Sequence, residues 1–220
     1  MRENYRDQLQ HITDDLSEMS RLVEAAMSKA TKSLLDASLE LADQVISEDD
    51  VIDELGNKIE NQTMSILALQ QPVASDLRLL AGALKISGTL ERMGDLASHV
   101  AKQAKLRHPN LSVPRDFLET FSKMGDIANE VIRRSTRAIA AGDTEQAVDI
   151  ARAEGEMDAL HRDLFGKVLS DEWSHGVEAA IDITLLGRYY ERFADHGVAL
   201  ARRVAYILTG EMPSKSDLEA

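Results

Sequence analysis

Four pairs of acids in this chain share one spacing: Asp49 with Asp53, Glu91 with Asp95, Glu154 with Asp158, and Glu191 with Asp195. Residues four apart lie on one face of a helix, roughly 6 Å apart at Cβ, so each pair points two carboxylates the same way. One such pair means little, because 38 acids in 220 residues produce several by chance, Asp36 with Glu40 among them. Position sets these four apart. In an antiparallel helical hairpin, residues equidistant from the turn face each other. Positions 53 and 91, and again 49 and 95, are centred on Pro72. Positions 158 and 191, and again 154 and 195, are centred between Ser174 and His175. The sequence therefore predicts two clusters of four carboxylates, each about 30 Å along its hairpin. Facing carboxylates repel unless they are protonated, paired with arginine or bound to cations. Hard oxygen donors without thiolates suit Mg²⁺, Mn²⁺ or iron, and several bridging carboxylates suit more than one ion. His99, four residues after Asp95, lies on the same face and is a weaker candidate ligand. His196 adjoins Asp195 and points elsewhere. Arg92 and Arg192 each follow the first acid of a pair and can brace a neighbour without neutralising a cluster. The competing reading is an acidic stripe neutralised by solvent and salt bridges.

Six long helices must carry these acids. Leu9, Ile12, Leu16, Met19, Leu22, Ala26, Ala30 and Leu34 keep a three-and-four spacing, which predicts a first helix over 5–35 with one buried stripe. Ser38 is a plausible N-cap for a second helix over 39–69, which Pro72 stops. A third helix starts at Ser75 or Asp76 and ends near His108. A fourth follows Pro114 and runs to Ala141, and Asp143 with Gln146 forms a capping box for a fifth that reaches about Asp171. Trp173 to Gly176 is a turn, and a sixth helix over 177–208 ends at Thr209-Gly210. The chain also repeats itself. A shift of 105 places Met19 on Met124, Asp53 on Asp158 and Leu55 on Leu160; past the second turn the shift becomes 100, placing Glu91 on Glu191 and Asp95 on Asp195. The expected fold is therefore all-α, a tandem repeat of two three-helix bundles over 1–108 and 113–210, with a disordered tail over 211–220.

Composition narrows the function. A net charge of −13 repels phosphate backbones and anionic lipid surfaces, so nucleic acid is not an expected partner and cations are. The absence of cysteine excludes disulfides, thiolate zinc sites and cysteine nucleophiles. No apolar run is long enough to span a membrane, and the charged start MRENYRDQLQ lacks the apolar core of a signal peptide, so a cytoplasmic protein is expected. No GxxxxGK loop is present, which assigns nucleotide binding to a partner. Clustered carboxylates also build di-iron oxidases, but those need Glu-x-x-His on bundle helices, and none of the six expected helices carries it.

QPVASDLR (71–78), LERMGD (90–95) and RYYERFADH (188–196), set in a tandem repeat, resemble the PhoU family of phosphate-transport accessory and regulatory proteins. The resemblance covers essentially residues 1–210. It implies a cytoplasmic, non-enzymatic negative regulator of phosphate uptake and of the phosphate-starvation response. Its implied partners are the ATPase subunit of the phosphate ABC transporter and the sensor histidine kinase of the two-component system. It further implies a homodimer and multinuclear metal binding through (E/D)xxxD motifs, with iron, zinc, manganese or magnesium as the ion. Carried over, the ligands are Asp49, Asp53, Glu91 and Asp95 in one unit and Glu154, Asp158, Glu191 and Asp195 in the other. The asparagine common four residues after the motif aspartate is His99 in the first half and Ala199 in the second, and Ala194 replaces the usual glycine. The second site is therefore expected to bind metal differently or less tightly. Asp76 and Arg78 are expected to cap the third helix and to make an inter-helix ion pair. A helical scaffold without functional metal remains the alternative, with a carboxylate-bridged metal enzyme behind it.

Overall fold

The computed structural model describes residues 2–141 and 146–213. Six α-helices account for most of them: α1 Arg2–Asp36, α2 Leu39–Gln70, α3 Ala74–Arg107, α4 Leu118–Ala141, α5 Gln146–Val168 and α6 Gly176–Thr209, with a 3₁₀ turn at Arg115–Phe117. Among the described residues there is no strand, and no helix is long and apolar enough to cross a membrane. Ser38 caps α2 as its position predicts, its hydroxyl accepting from the Leu41 amide at 3.3 Å. Gln71 ends the same helix in a left-handed conformation (φ 46°), and Pro72 follows immediately. Gly210 ends α6 at φ 83°, a conformation that costs glycine nothing, and its N–H donates to the Tyr206 carbonyl.

The helix boundaries correct three expectations. Helix α3 begins at Ala74 behind Val73, which offers no side-chain cap, because Asp76 is already committed to accepting from the Tyr5 hydroxyl on α1 at 3.0 Å. The expected inter-helix ion pair of Asp76 or Arg78 is not found among the described residues; the Arg78 Nε is buried without a hydrogen-bond partner there, and its guanidinium lies beside Gly210. Helix α5 stops at Val168, ahead of Asp171. Its expected cap, Asp143, lies outside the described residues, as do residues 214–220 of the expected tail.

Helices α1 to α3 pack on one another, as do α4 to α6, and α3 also packs along α6 and α1 along α4. The result is a layer in the order α2, α3, α6, α5, covered by a second layer of α1 and α4. Leu9 and Leu22 of the expected α1 stripe are only half-buried, while Ile12, Leu16, Met19 and Leu34 are at 2% exposure or less as the spacing predicts, and Val23 and Met27 join them. Each such side chain contributes about 1.5–3 kcal/mol on leaving water. Phe121, Tyr190 and Phe193 are fully buried. Burial pushes the Tyr190 phenol up, so it stays neutral, and its oxygen lies 2.9 Å from the Thr31 hydroxyl of α1.

A polar clamp fixes how α3 runs past α6. Arg107, at the end of α3, donates through Nε and a terminal nitrogen to both carboxylate oxygens of Asp182 near the start of α6, at 2.7 and 3.0 Å. Gln103 adds a bond to Asp182 at 2.7 Å, and Glu178 also pairs with Arg107. Asp182 is 4% exposed, so this fork satisfies a carboxylate that could not otherwise be buried. The helices are therefore antiparallel.

Candidate metal centre

Pro72 folds α3 back along α2, and the register that it sets brings the first four acids together. Three of them, Asp53, Glu91 and Asp95, border an open groove of about 810 Å³, which Asn57 and Glu60 from α2 and Lys85, Gly88 and Arg92 from α3 also line. The acids of the two helices act on one another across this crossing, with the Glu91 carboxylate lying against Gly56. Burial raises the Glu91 carboxyl above its ordinary range, and Asp53 is the strongest charge pushing the same way, ahead of Glu60 and Asp95, while Arg92 opposes. Burial also raises Asp49; the Ser98 hydroxyl works against this, and the charge of Asp95 adds to it. Asp53 is raised by burial and then by Asp49 and Asp95.

Glycine makes the crossing possible. A Cβ built on Gly56 would lie 2.0 Å from Glu91 Oε1, so the carboxylate occupies space that any other residue would fill. On the other helix, a Cβ on Gly94 would sit 3.5 Å from Asp49 Oδ1. Among the described residues, none of Asp49, Asp53, Glu91 and Asp95 is in an ion pair. Unpaired carboxylates in a glycine-cleared crossing fit a hard divalent cation in donor type. They do not yet enclose one: among the described residues no three acids or histidines converge closely enough to hold an ion.

The second unit repeats the acids with different surroundings. Glu154 is buried at 3% exposure, Asp158 and Glu191 are half-buried, and Asp195 is exposed. Burial raises Glu191, and Asp195 and Asp158 add to that, but Arg188 opposes it from one turn back. The Arg188 guanidinium reaches both Glu191 oxygens, at 2.5 and 2.6 Å. His161 stands nearby, held towards its neutral form by burial and then by Arg188, with Asp158 opposing. Its ring packs edge-on against Phe165, with centroids 4.9 Å apart, and its Nε2 has no hydrogen-bond partner.

His99 stands one turn beyond Asp95 on α3. Its Nδ1 lies 2.6 Å from the Asp95 carbonyl on its own helix, and its ring is 5.2 Å from that of Tyr189 on α6. His196 is kept neutral by burial and by Arg192 and Arg92, beside the α3–α6 contact. The chain's single Glu-x-x-His spacing, Glu172 to His175, falls in the exposed α5–α6 turn, where the His175 Nε2 meets Asp116 at 3.2 Å. Sequence reasoning singled out the acids and passed over Gly56, His161 and Arg188. The shifts that aligned the acids would have exposed all three, since they set Gly56 against His161 and Gly88 against Arg188.

Comparison with known proteins agrees with this architecture. The PhoU domain matches twice, over residues 16–104 and 121–204. The chain is 44% identical over 213 residues to the phosphate-specific transport system accessory protein PhoU homolog 2 of Mycobacterium tuberculosis, covering 97% of this chain and 100% of that protein. It is 35% identical over 218 residues to PhoU homolog 1 of the same species, covering 99% of each. The crystal structure of PhoU from Pseudomonas aeruginosa superposes with a TM-score of 0.85 at 30% identity, covering 94% of this chain and 100% of that one. That of the phosphate transport system regulatory protein PhoU from Streptococcus pneumoniae superposes with a TM-score of 0.83 at 25% identity, covering 96% and 99%. Two matched domains spanning most of the sequence, on a shared six-helix frame, make this chain a member of the PhoU family.

Proposed function

We propose that this chain is a metal-binding, non-catalytic regulator of phosphate homeostasis. One observation carries the metal reading: Asp49 and Asp53 of α2 and Glu91 and Asp95 of α3 lie within electrostatic reach of one another across the two helices, with no ion-pair partner among the described residues. Such a cluster lowers its free energy by taking up a divalent cation, and the bound charge would supply electrostatic cross-linking of the hairpin. Asp49, Asp53, Glu91 and Asp95 would hold the ion, and Gly56 clears the space for the Glu91 carboxylate. The regulatory reading is supported by the relatives' names, an accessory protein of phosphate-specific transport and a phosphate transport regulatory protein. On this reading the chain acts in the cytoplasm as a homodimer. It represses phosphate uptake and the starvation response by coupling the ATPase subunit of the phosphate ABC transporter to the sensor histidine kinase.

Elemental analysis of freshly purified protein tests the first half. Divalent metal should be present in the wild type and depleted in Glu91→Ala/Asp95→Ala; no metal in either protein, even after reconstitution, would sink the metal reading. Deletion of the gene tests the second half. Phosphate-scavenging reporters should then stay on in phosphate-rich medium, and unchanged reporter output would refute repression.

A further inference from the structure

The second cluster keeps its four acids but changes what surrounds them. At the shift of 105, Gly56 becomes His161, Asn57 becomes Arg162 and Glu60 becomes Phe165; at the shift of 100, Lys85 becomes Leu185 and Gly88 becomes Arg188. In the first unit, four groove-lining acids stand beside two bases, Lys85 and Arg92. At the matching positions of the second unit, Asp158, Glu191 and Asp195 stand against Arg162, Arg188 and Arg192, so the charges balance. Space changes with charge. A side chain at position 161 fills the volume that Glu91 takes over Gly56, and Glu191 instead pairs with Arg188 through both carboxylate oxygens.

We propose that the Arg188 guanidinium stands in the second unit where the first unit takes a cation, so that the second cluster is balanced from within and holds no metal. Arginine suits the position: it stays charged at any working pH and offers several N–H donors to carboxylate oxygens. The residues at the second cluster therefore do not fit the metal that the repeat of acids implies. The inference rests on the metal reading of the first cluster only for its contrast; its own claim concerns the second cluster alone.

Titration of Mn²⁺ into the EDTA-stripped full-length chain tests it, with circular dichroism confirming that each variant stays helical. In the Glu91→Ala/Asp95→Ala background, which silences the first cluster, no Mn²⁺ should bind. Adding Arg188→Ala should create one Mn²⁺ site, and adding Asp195→Ala as well should remove it. Arg188→Met, which keeps the aliphatic stem, should behave as Arg188→Ala does and substitutes for it should the alanine variant lose helicity. If Glu91→Ala/Asp95→Ala binds Mn²⁺ in a manner lost with Asp195→Ala or His161→Ala, the proposal is overturned. It is also overturned if folded Arg188 variants gain no Mn²⁺. A wild type that binds no Mn²⁺, beside an Arg188→Ala variant that does, would refute the metal reading of the first cluster and uphold this one.

Discussion

Two hairpins built on the same plan meet their acids differently. On α2 and α3, a glycine lets Glu91 lie across the partner helix, and the acids have no ion-pair partner among the described residues. On α5 and α6, a histidine fills the corresponding gap and an arginine one turn away reaches both oxygens of Glu191. The acids were duplicated, and their electrostatic setting was not. A repeated motif thus specifies where carboxylates will face each other, while the neighbours decide whether the repulsion is relieved by an ion or by the protein itself.

The strongest way to break this comparison is to give the first hairpin the neighbours of the second. Gly56→His/Gly88→Arg should weaken Mn²⁺ binding by about 100-fold or more, the upper end of what losing supporting groups costs a metal site. Isothermal titration calorimetry would read it, and unchanged affinity would show that the neighbours do not matter. Gly56→Ala should weaken binding by about tenfold. Its new Cβ displaces only the flexible end of Glu91, and alanine is the better helix former by about 1 kcal/mol, so the EDTA-treated protein should melt no lower than wild type.

A pH series sharpens the contrast further. Asp49, Asp53 and Glu91 carry folded-state pKa values above the ordinary range, so the metal-free cluster favours folding most below that range and loses the contribution as pH rises through the raised values. Compared with Asp53→Asn/Glu91→Gln, the EDTA-treated wild type should therefore lose melting temperature between about pH 4 and neutrality, a trend that saturating Mn²⁺ should flatten. A difference that grows in the opposite direction would contradict the cluster's geometry. The smallest effect belongs to Arg188→Ala without metal. Half of that arginine's surface is exposed, so its pair with Glu191 should contribute less than about 1 kcal/mol to thermal stability.

Much of this was legible in the sequence because the information is local. The apolar stripe of α1, the Ser38 cap and the Pro72 fold-back that brings α3 along α2 all follow from spacing along one or two helices. What escaped was tertiary. Asp76 looked like a cap and is instead taken by Tyr5, 71 residues away. The clamp of Arg107 on Asp182 joins groups 75 residues apart with no local pattern to announce it. The importance of Gly56 depends on a side chain from another helix, so only the packed hairpin reveals it.

The clamp has a consequence for the two grooves. Arg107 meets Asp182, and the Tyr189 ring meets that of His99, so α3 and α6 run past each other with Glu91 level with Gly197 and Val198 and Asp95 level with Phe193 and Ala194. Both acid clusters therefore share one cross-section at the waist of the molecule, one at the α2–α3 crossing and the other at the α5–α6 crossing. Neighbouring helix axes lie about 8–10 Å apart, which separates the two clusters by about two such spacings. Solvent-facing charges at that range lie beyond the Debye length of about 8 Å at physiological ionic strength. An ion arriving in one groove would scarcely be felt in the other, and uptake by this chain should follow a simple, non-cooperative isotherm.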